Sequence, residues 1–234
     1  MTKHIGIVGV SPEGAALCVR HLSRHAAELL EPHEHPRISL HNEPLAYYID
    51  AIRAGDWHGV ADLLRRSAEI LADCGADFCI SPDNAIQYAI HLAEHDSPIP
   101  WLSIPDLVAD AITRDGRDVV GLVGTKWVTS GATYQTRLGL RGVQVLVPEP
   151  DEADAMDRMI VGELIFGRVR PESRAAFLTS CGRLADRGCQ GLILGSSEVP
   201  LVLRDVELPM PIYDAADILT ARAVAHAAGR DGTE

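Results

Sequence analysis

Gly188-Cys-Gln-Gly-Leu-Ile-Leu-Gly195-Ser196-Ser197-Glu198-Val-Pro200 reads as a short apolar strand running into a polar turn. Cys74-Gly75-Ala-Asp-Phe-Cys79-Ile-Ser-Pro82-Asp83-Asn84 has the same build. In each, eight residues separate a glycine from the polar residue that ends the strand: Gly75 from Asp83, Gly188 from Ser196. The two copies lie 113 residues apart, and two further anchors flank them. Gly6-Ile-Val-Gly9 returns as Gly121-Leu-Val-Gly124, an offset of 115. Pro98-Ile-Pro100 returns as Pro209-Met-Pro211, an offset of 111, and Asp106 then matches Asp217. Three anchors in one order at nearly constant spacing indicate two copies of one α/β unit of about 110 residues.

Outward from these anchors the chain alternates strand and helix. Ile5–Val10, Phe78–Ile80, Val119–Val123, Val143–Val147 and Leu192–Leu194 are apolar runs of strand length. Glu13–Leu30, Asp151–Phe166 and Ser173–Arg187 have helical patterning, and a further helix closes at Glu69–Asp73. Alternation of this kind predicts α/β architecture with two similar parallel-sheet domains. The expected boundaries are 1–112 for the first, with 210–234 returning to it, and 113–209 for the second. Ligands of open parallel sheets bind at the carboxyl ends of strands. The expected active site is therefore a cleft between the domains, with Asp83 presented from one wall, Ser196 from the other, and Ser11 and Thr125 at the rim.

Composition narrows the function classes. The chain has 234 residues, 47% of them apolar and 23% charged, in the ordinary globular range. No apolar run reaches the roughly 18 residues a membrane helix needs, and the N-terminus lacks the pattern of a signal peptide, so a cytoplasmic location is expected. A net charge of −12 argues against nucleic acid as a partner. Five cysteines without a CxxC pair argue against a disulfide framework or a structural zinc site. His21 and His25 stand four apart on a helix, a spacing that can share a metal, but no HExxH or supporting carboxylate accompanies them, and no metal is expected. The absence of GxGxxG and GxxxxGK[ST] leaves no case for a nucleotide or dinucleotide cofactor.

Local chemistry alone gives both turns a plain reading as helix caps: Asp83 or Asn84 in the first, Gly195 to Ser197 in the second, with Glu198 answering in a capping box. The repeat raises their standing. The chain resembles the aspartate/glutamate racemase superfamily, in which the first half carries Pro-Cys-Asn-Thr and the second Leu-Gly-Cys-Thr-Glu. Here the matching stretches are Pro82-Asp83-Asn84-Ala85 and Leu194-Gly195-Ser196-Ser197-Glu198. The opening Gly6-Ile-Val-Gly-Val-Ser11-Pro-Glu13, the stretch from Gly124-Thr125 through Thr129-Ser130-Gly131 to Tyr134, Glu163 to Arg174, and Pro211-Ile-Tyr-Asp214 are similar to further family segments in the same order. The resemblance implies two α/β domains related by a pseudo-twofold, a site between them, PLP-independent isomerase chemistry on a small carboxylate, no cofactor, and a homodimer.

Both family cysteines are replaced, by Asp83 and Ser196. A two-thiol racemase needs two groups of similar basicity, each able to give and to take a proton. An aspartate of ordinary pKa is weaker than a thiolate by about 4–5 units, roughly 6 kcal/mol. A serine hydroxyl with no histidine or lysine beside it in sequence is a poor acid or base. Three roles stay open. Asp83 acts as a single acid/base while Ser196 holds a substrate oxygen, suiting decarboxylation, tautomerisation, elimination or cyclisation. The site binds without turning over. Or a mobile thiol, Cys79 or Cys189, substitutes. Asn84, Ala85, Thr125, Thr129, Ser197, Glu198 and Ser11 are expected around the substrate. Where family aspartate racemases use an arginine after Asn-x-Pro, Asn42-Glu-Pro-Leu-Ala-Tyr47 offers alanine or tyrosine. The late turn keeps a cation in Arg170, which can grip a carboxylate bidentately. The leading expectation is proton transfer at the carbon next to a carboxylate or carbonyl. Its alternatives are an amino-acid racemase or epimerase proper, and a non-catalytic carboxylate-binding homologue.

Overall fold

The structure, a computed structural model, describes residues 2–203 and 206–230. The first half runs β1 (Ile5–Gly9), α1 (Pro12–Leu29), β2 (Ile38–Asn42), α2 (Leu45–Arg53), α3 (Trp57–Asp73), β3 (Phe78–Ile80), α4 (Gln87–Glu94) and α5 (Ile104–Arg114). The second runs β4 (Val119–Gly124), α6 (Lys126–Thr129), α7 (Thr133–Gly139), β5 (Gln144–Leu146), α8 (Pro150–Gly162), α9 (Pro171–Asp186), β6 (Leu192–Gly195), β7 (Ile212–Asp214) and α10 (Ala215–Ala227). Short 3-10 turns cover Leu164–Phe166 and Val199–Leu203.

All strand pairs are parallel, in the orders β2-β1-β3 and β5-β4-β6-β7. β1, β3 and β6 are buried at every residue, as strands covered on both faces must be, which is why they read as unbroken apolar runs. The pairing register reproduces the repeat. Gly6 pairs with Cys79 and Gly121 with Leu192; Cys79 in turn meets Trp101, and Leu192 meets Ile212. Matching members of these pairs are 115, 113 and 111 residues apart, the offsets carried by the sequence anchors. The fourth strand is three residues long in the second sheet and a single bridge at Trp101 in the first. There the chain turns into α5, whose Ile104 N–H donates to the side-chain oxygen of Gln87 at 3.3 Å.

The chain divides into two compact units. Unit 1 holds residues up to Ile104 and from Ala216 onward; unit 2 holds Pro105–Ala215. The changeovers fall just after the first residues of α5 and α10, so each helix passes over in all but that residue. The first lies nearer the N-terminus than the expected 112, because α5 packs with unit 2: Asp106 faces Arg137 at 3.3 Å and Asp110 faces Arg141 at 2.7 Å. β7 stays in unit 2, paired to β6. α10 belongs to unit 1, where Lys3 N–H donates to Ala227 O at 2.8 Å and the Phe78 ring meets His226 edge-on at 4.8 Å.

α1 starts as expected, with Ser11 capping Gly14 N–H at 2.9 Å and Pro12 in the first turn. The expected single helix over 151–166 breaks at Glu163, whose φ of −130° leaves the helical region after Gly162. β2 escaped the sequence reading; it is a half-buried edge strand, and its Ile-Ser-Leu-His-Asn has no continuous apolar run. No helix among the described residues is long and apolar enough to cross a membrane.

Candidate functional site

In unit 1, β3 ends at Ile80 and Asp83 follows three residues on. Its Oδ1 accepts the Ala85 N–H at 2.9 Å, an Asx turn that fixes the carboxylate against its own backbone. The expected cap of the following helix is not Asp83 or Asn84. α4 begins after Ile86, without a side-chain cap bond, because the Asx turn occupies the residues between. Asn84 is buried and Ala85 half-buried. Gln87, almost wholly buried, clamps the turn: its Nε2 donates to Asp83 O at 2.9 Å and Ser81 O at 3.3 Å, while its Oε1 takes the Ile104 N–H. Nothing in the sequence singles out this glutamine beyond its place after the turn.

The neighbouring strand ends carry Ser11 and Asn42. Ser11 spends its oxygen on the α1 cap. Asn42 Nδ2 donates to Glu43 O at 2.7 Å and Val10 O at 3.3 Å, tying the end of β2 to that of β1. A Cβ at Gly9 would sit 2.3 Å from Asn42 Oδ1, so a larger residue there would push this amide aside. Of the tyrosines after Asn42, Tyr47 is exposed and Tyr48 fully buried. Burial pushes the Tyr48 phenol well above its ordinary pKa, and the charges of Glu43 and Asp83 push the same way. The buried neighbour of the expected position thus senses the Asp83 carboxylate.

In unit 2, β6 ends at Gly195, and Ser196, Ser197 and Glu198 are all buried. Ser196 Oγ donates to Glu198 Oε2 at 2.8 Å and Ser197 Oγ to the same oxygen at 3.2 Å. The partner carboxylate of Ser196 lies only two residues on, inside the turn. Beside it, β4 ends at Gly124. A Cβ there would lie 2.8 Å from Gly195 O, and one on Gly195 would lie 2.8 Å from Val128 Cγ1, so these strand ends approach as closely as backbone allows. Thr125 starts α6, accepting Val128 and Thr129 N–H at 3.0 Å through its carbonyl. Its hydroxyl is buried and has no hydrogen-bond partner among the described residues; the same holds for Ser81 in unit 1. Thr129 uses its hydroxyl on Thr125 O at 3.2 Å. Arg170 sits on the exposed turn before α9, two-thirds exposed, its Nε 3.9 Å from Glu163 Oε1.

The structure therefore gathers Asp83, Asn84, Ala85 and Ser11 at the carboxyl ends of β1 and β3. It gathers Ser196, Ser197, Glu198, Thr125 and Thr129 at the carboxyl ends of β4 and β6. The thiols are poor substitutes. Cys79 is inaccessible inside β3 with its pKa pushed up to about 12 by burial, and burial also raises Cys189. His21 and His25 both turn to Asp217, at 3.7 and 2.8 Å. No group of three or more His, Cys, Asp or Glu among the described residues stands in metal-binding arrangement.

Comparison with known proteins identifies the family. The Asp/Glu/Hydantoin racemase family profile matches residues 7–223. A Yersinia pestis protein with a provisional Asp/Glu racemase assignment superposes with a TM-score of 0.86 at 27% identity, over 97% of this chain and 99% of that one. An aspartate racemase homologue from Pyrococcus horikoshii OT3 superposes at 0.83 with 25% identity, over 97% and 100%. The Picrophilus torridus aspartate racemase shares the fold at 0.72 with 17% identity, over 97% and 94%. With a family match that spans nearly its whole length, the chain belongs to the Asp/Glu/Hydantoin racemases, in a form that carries aspartate and serine at the two strand ends singled out above.

Proposed function

We propose that this chain is a cofactor-independent enzyme of the racemase type that moves a proton at the carbon next to the carboxylate of a small acid. Asp83 is its acid/base group. One observation carries the reading: Asp83 and Ser196 each stand three residues beyond equivalent paired positions, Ile80 and Ile193, at the carboxyl ends of matching parallel strands. Ligands of open α/β sheets gather at such ends.

The groups around them suit a carboxylate whose charge spreads into an enolate. The Thr125 and Ser81 hydroxyls are buried and unpartnered, which is costly unless a ligand accepts from them. Alanine or tyrosine where the family's arginine is expected, and an Arg170 already beside Glu163, leave fewer cations for a second carboxylate. The substrate is accordingly a small acid that need not be aspartate.

D83N tests this. Asparagine keeps the Asx-turn acceptor, so the melting temperature should hold, while deuterium wash-in at Cα of at least one enantiomer of aspartate or glutamate falls at least about a hundredfold, the usual worth of a positioned acid/base. Full activity in D83N removes Asp83 from the mechanism. Stabilisation by a small acid that the wild type never turns over would place the chain among the binding homologues.

A further inference from the structure

A serine hydroxyl has one proton, and in this structure Ser196 gives it to Glu198 Oε2 at 2.8 Å. Toward anything else Ser196 then presents only lone pairs. It cannot at the same time donate to a substrate carboxylate or steady a developing enolate, the part that sequence alone suggests for it. What it can do is accept. The carboxylate behind it is buried and held in place by Ser197, which donates to the same oxygen at 3.2 Å. The Ser196 bond lies within the usual range for a hydroxyl on an oxygen acceptor. All three residues follow directly on β6, the most central strand of its sheet together with β4.

We infer that Glu198 is the proton store of the second turn and that Ser196 relays protons between it and the substrate. As Ser196 Oγ takes the proton from Cα, its own hydroxyl proton passes to Glu198 Oε2, and the C–H electron pair stays on the substrate as the enolate. In the return direction the Glu198 carboxyl proton passes to Ser196 while the Ser196 proton passes to carbon. Nothing is oxidised or reduced, and the count of protons is unchanged. This inference rests on the proton-transfer reading and adds to it a partner matched to Asp83. The store in this turn is then a carboxyl group of intrinsic basicity similar to that of Asp83. Glu198 acts through Ser196 and is a positioning and proton-holding residue; Ser196 is the group that touches substrate.

The test uses the whole chain as wild type, D83N, S196A, E198Q and E198D, each checked for an unchanged melting temperature. Each enantiomer of aspartate and of glutamate is incubated with each protein in D2O, and deuterium at Cα is measured. D83N should lose exchange from one enantiomer. E198Q and S196A should both lose exchange from the opposite one, by the same factor of about 10²–10³. E198D keeps the carboxyl group and should recover part of that loss. Wild-type exchange of both enantiomers by E198Q overturns the relay and leaves the Asp83 reading standing. Equal loss in E198Q and E198D also overturns it, since the side chain would then matter for turn shape alone.

If wild type exchanges none of the four acids, the proton-transfer reading fails for them, and the pair is judged without turnover. In S196C, the pH dependence of iodoacetamide labelling at position 196 gives the thiol pKa. A carboxylate sharing that proton raises the value by about one unit or more relative to S196C/E198Q, because like charges resist a second ionisation. Equal values in the two variants overturn the relay.

Discussion

Ser196 and Glu198 show how little of a side chain's chemistry lies in its own name. As a lone serine in a list of residues, Ser196 has no base; in the folded turn a buried carboxylate takes its proton. The five thiols give the reverse case. Cys18, Cys79 and Cys181 are pushed up to about 12 by burial, with the Glu152 charge adding for Cys181, so at neutral pH fewer than about one in 10⁴ is thiolate. Iodoacetamide at pH 7.5 should therefore label the exposed Cys74, leave these three unmodified by peptide mass spectrometry, and leave activity intact. Labelling of Cys79 with loss of activity would restore a thiol mechanism. D83N belongs at this scale too, with turnover lost and folding kept. Asp83, Ser196 and their neighbours were legible because each has a family motif and a repeat partner. Gln87 and Tyr48 were not. Their importance lies in whom they touch across 17 residues of chain or through space, and no local pattern records that.

At the scale of elements, the ends of β4 and β6 meet through glycines, which lets two loaded turns leave side by side. G124A places a methyl 2.8 Å from Gly195 O, backbone that has little room to yield. Chemical denaturation should show a loss of about 1–3 kcal/mol. G139A is the control: nothing lies within 4 Å of its Cβ near the end of α7, and there alanine should be neutral or stabilise by up to about 1 kcal/mol. The glycine repeats were read from sequence as strand markers, and the register confirms that reading. The fully buried strands were legible for the same reason, an unbroken apolar run. β2 was not, because an edge strand half-covered by protein needs no such run. The broken helix after Gly162 was missed because Glu163 fits a helical pattern while its carboxylate is taken by Ser173 at 2.9 Å, a contact that only tertiary structure supplies.

Across the whole molecule, the duplication was legible in the anchors, but the transfer of α5 to unit 2 was not, since nothing in a helix's own pattern says which unit will bury it. α10 is held in unit 1 by Asp217, which meets Arg24 and His25 on α1. The hydrogen bond to Asp217 lifts the His25 pKa against the opposing effect of burial, and lesser effects include the Asp217 and Glu28 charges. Burial pushes Asp217 up, but His25, Arg24 and His21 outweigh it and bring it below the usual aspartate range. The sign follows from both. A raised His25 contributes stability below about 6.5, lost as pH rises through its folded value; a lowered Asp217 contributes above about 3.9, lost as pH falls through its own. The pair therefore helps most between about pH 4 and 6.5. D217N should cost about 1–2 kcal/mol at pH 5.5 and less at pH 8.5, measured by urea melts; solvent reaches 34% of the Asp217 side chain, which keeps the figure modest. An equal deficit at both pH values would leave only the Arg24 contact. Leu219, Ala223 and Val224 of α10 are wholly buried, so a fragment of residues 1–104 should not melt cooperatively until a peptide of residues 215–230 is added. Synthesis on the ribosome sharpens the point. Unit 2 is one unbroken stretch and can close from its own residues alone, but unit 1 must wait, its first hundred residues already made, for a helix translated after all of unit 2.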